Sequence, residues 1–354
     1  MLDPPVRYLA AYLVPLTVVA SYYGRVWVTT FFPLIFAFGC MPLVDAVVGV
    51  DDHSPTEEEV KRNTRRFAYR LILYLWPLVQ WTALLWAAQV TRTPRLGGVE
   101  FVGLALSIGL LGAQGVNVGH ELFHKRSEFE QYLGKALLVS VCYGHFFIEH
   151  VHGHHKRVGT PADPATARLG ESFYRFLPRT LIGSYRSAWR LEHDRLRRNG
   201  LAVWGVHNQM LWFALLPLLE MTAFYVLSGP RACALFLLQS VTAIVLLEMV
   251  NYIEHYGLER RAMGARPNGE LVYEAVSSKH SWNAAHRITN YMLFKLQRHP
   301  DHHKHVLHPY HVLRSDKESP QLPSSYPAMV LLLLIPPAWK RVMDARLRRY
   351  VAGA

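Results

Sequence analysis

Cysteine is scarce in this chain of 354 residues: Cys40, Cys142 and Cys233 are its only three, far apart and each inside apolar sequence. That excludes a disulfide framework, a paired-cysteine zinc site and any four-thiolate iron or iron–sulfur centre. Three buried, inert thiols are expected instead. No glycine-rich nucleotide fingerprint occurs, so a built-in flavin or nicotinamide domain is excluded as well. Internal repeats and low-complexity segments are lacking. No nucleic-acid module is recognisable, although the formal net charge is +12. The beginning of the chain has Asp3, a single early basic residue, Arg7, and no cleavage-site pattern. A retained membrane span is expected there rather than a signal peptide.

What the chain does have is long apolar runs alternating with dense arginine, lysine and histidine. A membrane-crossing helix needs about 20 mainly apolar residues. Six stretches come close: Tyr8–Tyr23, Val26–Val44, Leu71–Val90, Phe101–Gly119, Met210–Leu227 and Ala232–Leu247. Glu220 lies at the centre of the fifth, where an ionisable group normally faces a bundle interior or a polar cavity. Two shorter runs, Ala136–Ile148 and Met329–Ile335, suit interfacial or re-entrant helices. The tail from Arg346 to Ala354 is expected to be a loose end. Six crossings put both termini, the 49–70 loop, the 120–209 segment and the C-terminal third on one side. That side carries Lys61, Arg62, Arg65 and Arg66, then Arg179, Arg186, Arg190, Arg195, Arg197 and Arg198, so the positive-inside rule places it in the cytoplasm. The expected fold is an all-α integral membrane domain over residues 1–354, with a helical cap at 120–209 and 255–345. Its basic excess points to membrane lipid or an acidic protein partner rather than nucleic acid.

Of the 19 histidines, most of the informative ones fall in four groups. NVGHELFHK holds His120 and His124, four apart and therefore on one face of a helix. IEHVHGHHK holds His150, His154 and His155. NYIEHYGLER offers His255 directly after the sixth run, and LQRHPDHHKH holds His299, His302 and His303. On an α-helix, His154 and His155 lie about 40° and 140° round from His150, an arc narrow enough for convergent ligands. All four groups sit at membrane boundaries on the same side. Nine imidazoles at one depth are too many for one metal, so two metals follow. Imidazole suits Zn, Fe, Cu and Ni alike. A closed structural zinc site normally uses cysteine, and none is near, so redox iron is favoured.

Acidic neighbours Glu121, Glu149, Glu254 and Asp301, with Asp163 further off, are candidates to orient the imidazoles through their second nitrogen. The other histidines gain no role by proximity. His53, His193 and His207 are expected in solvent, and His145, His152, His280, His286, His305, His308 and His311 at the surface or in an outer shell. Two other classes stay open at this point. HELFH alone fits the H-E-x-x-H pattern of zinc proteases, with Glu121 as general base. A metal transporter would use histidines with Glu220 or Glu248 along a path through the spans.

With these residues assembled, the chain resembles the rubredoxin-dependent membrane alkane monooxygenases. HELFHK, EHVHGHHK, NYIEHYGL and LQRHPDHH match that family's boxes in order and spacing. Connecting segments such as GCMPLVDAVVG, DPATARLGES and HSWNAAHRITN are also similar, and the likeness runs from about residue 25 to 345. Phe123 and Pro300 depart from the family's usual residues without removing a ligand. The resemblance implies that His120, His124, His150, His154, His155, His255, His299, His302 and His303 ligate two irons facing the cytoplasm of the inner membrane. It implies terminal hydroxylation of a medium- or long-chain alkane with O2, and two electrons from a separate rubredoxin served by its reductase. It further implies a hydrophobic tunnel, with Ala37 in the second span as a wall residue. Relatives acting on xylenes or alkyl side chains share much of the pattern, and membrane desaturases share the looser histidine spacing.

Overall fold

A computed structural model describes residues 2–24, 29–64, 66–94 and 96–353. The expected start of the second run at Val26, the basic residue Arg65 and the terminal Ala354 lie outside the described residues. The chain is helical almost throughout. The one sheet among the described residues is an exposed antiparallel hairpin of Ala262–Ala265 with Leu271–Tyr273.

A 3₁₀ turn, Pro5–Tyr12, leads into α1, Leu13–Tyr23. Then follow α2, Thr29–Val48; α3, Phe67–Val90; α4, Gly98–Phe123; α5, Glu128–Val139; and the amphipathic α6, Phe173–Arg198. After these come α7, Gln209–Ser228, and α8, Pro230–His255. The short α9, His299–Lys304, precedes α10, Tyr326–Leu333, and α11, Pro336–Gly353. Five of these, α2, α3, α4, α7 and α8, are long and apolar enough to cross a membrane. The protein is therefore an integral membrane protein. Many of their leucines and valines are exposed because their neighbour is lipid, not water.

Two helices run past the limits that hydropathy sets. The apolar runs stop at Gly119 and Leu247, but α4 continues to Phe123 and α8 to His255. Those polar last turns carry His120 and His255 past the apolar runs, and both rings come near His299, at 6.5 and 5.2 Å. Helix α4 is the most deeply packed of the five. A Cβ at Gly109 would overlap Thr242 of α8, and one at Gly115 would overlap Gln80 of α3. Small residues there let the backbones approach closely, which suits packing between helices in lipid.

The C-terminal tail corrects one expectation. Residues 346–353 continue α11 instead of forming a loose end. Trp339, Met343 and Leu347 recur every fourth residue and bury one stripe against Tyr252 and Tyr256 of the α8 end. Arg346 Nε donates to the Gln321 carbonyl at 2.6 Å, tying the last turns down. The three thiols are free and half-buried rather than fully buried.

Candidate metal centre

The imidazoles arrive from four separate elements. His120 lies in the last turn of α4 and His124 at its C-terminal cap. His255 ends α8, where Gly257, at φ +71°, turns the chain away. His299, His302 and His303 come from α9, which Pro300 starts at its first turn. Arg298 anchors that helix. Its fully buried guanidinium donates to the carbonyls of Asp51, His53 and Leu313 at 2.7–2.9 Å.

The fourth element departs from the α-helical expectation. Residues Glu149–His154 form a π-helical turn, and the His155 N–H bonds the His150 carbonyl five residues back. Winding with bonds from i to i+5 brings residues five apart onto one face. His150 and His155 consequently meet, Nε2 to Nε2 at 3.0 Å, and His154 turns to the other side. The α-helical arc, on which all three histidines converge, is corrected accordingly: they divide between two groups. An ion pair between Arg157 and Glu149 at 2.7 Å spans the turn, and Arg157 also donates to Ser187 of α6.

The result is two groups. His120, His124, His150, His155 and His302 form one, and His154, His255, His299 and His303 form the other. Within each, the ligand-capable atoms all lie within 4.8 Å of one another. The groups are neighbours: the rings of His155 and His303, one from each, are 4.7 Å apart.

Such a cluster fits metal ions and little else. The Nε2 atoms of His120, His124, His255 and His302 are buried without a hydrogen-bond partner, which is costly unless a cation takes the lone pair. Burial, reinforced by neighbouring imidazoles, holds His150, His155, His299, His302 and His303 well below the usual histidine range. They are therefore neutral, with lone pairs available. Two tautomers follow from outer partners. His154 Nδ1 donates to Asp163 Oδ2 at 2.9 Å, and His255 Nδ1 donates to the His280 carbonyl at 3.2 Å. Each leaves Nε2 facing its group. Burial would raise the Asp163 carboxyl, but His154 and the Thr166 hydroxyl outweigh it and hold it at about 2.

The other acidic candidates have different surroundings. Glu121 pairs with Lys125 and accepts the Tyr310 N–H, which occupies the carboxylate a zinc protease would need as its base. Asp301 accepts the Arg314 N–H. Glu254 lies 3.3 Å from His299 Nε2 and accepts the Tyr326 hydroxyl. Glu248 is held by Tyr143, Thr180 and Asn251, a buried tie between α6 and α8 rather than a transport path. Three histidines outside the groups, His145, His280 and His311, are buried. His311 stacks on Tyr69 and faces the Asn63 carbonyl. The His280 carbonyl and Tyr326 left no signal in sequence, whereas Arg298 stood directly before His299 in LQRH.

Against the imidazoles opens an apolar cavity of about 1000 Å³, counting the space at its opening. His120, His150 and His299 form part of its wall, as do Val14, Ala37 and Leu110. Gln114 and Asn117 also border it, but their amide N–H groups are taken up by the carbonyls of Met292 and Leu293 at 2.8 Å.

Residues 98–332 match the fatty acid desaturase family. Alkane 1-monooxygenase 1 of Pseudomonas aeruginosa is 44% identical over 91% of this chain and 84% of its own length. Alkane 1-monooxygenase 1 of Alcanivorax borkumensis is 38% identical over 100% of this chain and 84% of its own. The chain belongs to the alkane 1-monooxygenases within the fatty acid desaturase family. A xylene/toluene monooxygenase hydroxylase component of Pseudomonas putida is also similar, at 30% identity over 68% of the chain. Membership in the monooxygenase family leaves the protease and transporter readings without support.

Proposed function

We propose that this protein hydroxylates the terminal carbon of a medium- or long-chain alkane, using O2, at two irons held by the nine histidines. One observation carries the reading: two adjacent groups of converging imidazoles lie against an apolar cavity within a membrane protein, with His120, His150 and His299 in the cavity wall. In this reading His120, His124, His150, His155 and His302 hold one iron, and His154, His255, His299 and His303 the other. When bound, the metal supplies the redox chemistry with O2 that no side chain can. The balance is R–CH3 + O2 + 2 e⁻ + 2 H⁺ → R–CH2OH + H2O.

The chain's own residues do the rest. An alkane has no group to hydrogen-bond, so recognition rests on shape and on exclusion of water. The apolar wall, with the donors of Gln114 and Asn117 already engaged, meets that need. Asp163 and the His280 carbonyl hold two imidazoles in the tautomer that offers Nε2. Residues 1–354 act as one membrane domain, with Pro5–Tyr23 as a sixth crossing beside the five helices. Arginine on α6 then faces the cytoplasm at the inner membrane.

Electrons come from a separate, acidic carrier, rubredoxin with its reductase, because the chain has no cysteine set or nucleotide fold of its own. On α6, Arg179 is paired with Glu171 and Arg195 with Glu192. Arg186, Arg190, Arg197 and Arg198 are exposed and form the docking face in this reading. Metal analysis of the purified protein, combined with product analysis after feeding n-alkanes, tests the proposal. About two irons per chain and primary alcohols are expected. Full activity with zinc alone, or loss of neither metal nor activity in His150→Ala and His303→Ala, overturns it.

A further inference from the structure

We infer that the cleft between α6, α7 and α8 binds an anionic phospholipid of the surrounding membrane, with its phosphate on Arg186 and an acyl chain inside. The inference is independent of the metal reading and concerns a cavity apart from the one that borders the imidazoles.

The cleft measures about 930 Å³, counting the space at its opening, and shares no lining residue with the first cavity. Leu181 of α6, Met210 and Phe213 of α7 and Ile244 of α8 give it an apolar wall. The turn at residues 142–145 closes one side. A Cβ at Gly144 would overlap the Phe213 ring, so that turn packs directly on α7. Tyr143 lines this cleft and Phe146 the first cavity, and their rings stack at 5.9 Å as a partition.

Three polar side chains interrupt the apolar wall: His145, Tyr185 and Arg186. His145 is 9% exposed, and its ring stands edge-on to Tyr143 and Tyr185 at 4.5 and 5.3 Å. Its Nε2 is buried with no hydrogen-bond partner. Such an atom is costly unless something else satisfies it. On α6, Arg179 and Arg195 are paired with Glu171 and Glu192, but among the described residues no carboxylate pairs with Arg186. A phospholipid complements each feature: phosphate for the guanidinium, ester oxygens for the imidazole and phenol, and an acyl chain for the apolar wall.

Depth selects this occupant. Met210 and Phe213 lie in the first two turns of α7, and Ile244 lies one turn before the apolar run of α8 ends at Leu247. The cleft therefore stands where the crossing helices meet the headgroup layer. Tryptophan gathers at the same end. The rings of Trp189 and Trp204 are 6.0 Å apart, Trp204 is 80% exposed, and Trp212 Nε1 donates to the Val206 carbonyl at 2.8 Å. Tryptophan is enriched at the membrane–water interface. An arginine at that level lays its stem along apolar surface and holds its head against phosphate. Arg190, exposed one turn further along α6, adds a second positive charge and favours a headgroup of net negative charge.

The test titrates full-length protein in mild detergent with phosphatidylglycerol and counts bound lipid by native mass spectrometry. No electron carrier is present, so a separate role of Arg186 in docking leaves the readout untouched. One tightly held phosphatidylglycerol per chain is expected, with phosphatidylcholine binding more weakly. Arg186→Gln should weaken it about 10-fold through the lost charged hydrogen bond. Ala214→Trp, on the cleft wall, should weaken it at least ~10-fold by displacing the acyl chain. Arg186→Gln alters an exposed side chain and remains informative if the larger substitution disturbs the fold. Equal binding by wild type and Arg186→Gln overturns the inference, as does equal affinity for phosphatidylcholine. Displacement of the phospholipid by an equal concentration of sodium palmitate would overturn it too, by assigning the cleft to a fatty acid.

Discussion

Replacing Ala37 by tryptophan should shorten the alkane that the enzyme prefers. Ala37 lies on the cavity wall, 8% exposed, in a π-helical turn of α2, Phe36–Cys40, and packs in one cluster with Val14, Met41 and Leu110. Leu110 precedes His120 on the same helix by about 15 Å, at roughly 1.5 Å per residue. An extended alkane with its reacting end at the imidazoles advances about 1.25 Å per carbon, given C–C bonds near 1.5 Å. Roughly its twelfth carbon therefore comes level with Ala37. An indole there takes the room of about four methylenes. At ~0.8 kcal/mol for each methylene left unburied, chains that need this room lose about 3 kcal/mol, or roughly 150-fold in kcat/KM. Chains of about eight carbons should react as before. The assay is competition among n-alkanes of increasing length, with the product alcohols separated by gas chromatography. An unchanged product profile in a variant with wild-type iron content would refute the argument and detach the α2 wall from substrate length. A smaller shift in the same direction is expected for Ala37→Val.

Three further outcomes follow from other parts of the molecule. Asp163→Asn removes the charge that orients His154 and should weaken metal retention by about 10–100-fold; retention equal to wild type in a chelator competition would show that the contact is incidental. Purified protein should turn over only when rubredoxin, its reductase and NADH are all present. Reversing Arg186, Arg190, Arg197 and Arg198 to glutamate should slow it most at low salt, since the Debye length falls from ~30 Å at 0.01 M to ~8 Å at 0.15 M. Repeated turnover with NADH and no added protein would dispose of the separate carrier, and a salt-independent rate would dispose of the docking face. Gly115→Ala drives a methyl group into Gln80, which is held by Trp76 and Ser140 and cannot move cheaply. A loss of about 1–3 kcal/mol is expected, read as a lower unfolding temperature, and an undiminished one would contradict the close α3–α4 approach.

The elements that hydropathy and spacing can reveal were legible in the sequence, and the pairing of the histidines was not. Apolar runs locate α3, α4, α7 and α8 because lipid requires length and hydrophobicity of any crossing helix, whatever packs beside it. The four histidine groups stand out because so many imidazoles are seldom wanted at a membrane boundary. Helix α11 had a visible signal as well, the stripe of Trp339, Met343 and Leu347, hidden among arginines that suggested a solvated end. The π-turn at Glu149–His154 is different in kind. Nothing in IEHVHGHHK announces it, because its wider winding is held by contacts from elsewhere in the chain, among them Arg157 on Ser187 and Asp163 on His154. Yet that turn decides the chemistry. With α-helical winding His150 and His154 would face one metal together. With π winding His150 joins His155 in one group, and His154 crosses to meet His255, His299 and His303 in the other. A single stretch of backbone therefore supplies imidazoles to both groups; if each group holds an iron as proposed, distortion of this turn should disturb both, whereas loss of His255 should disturb only one.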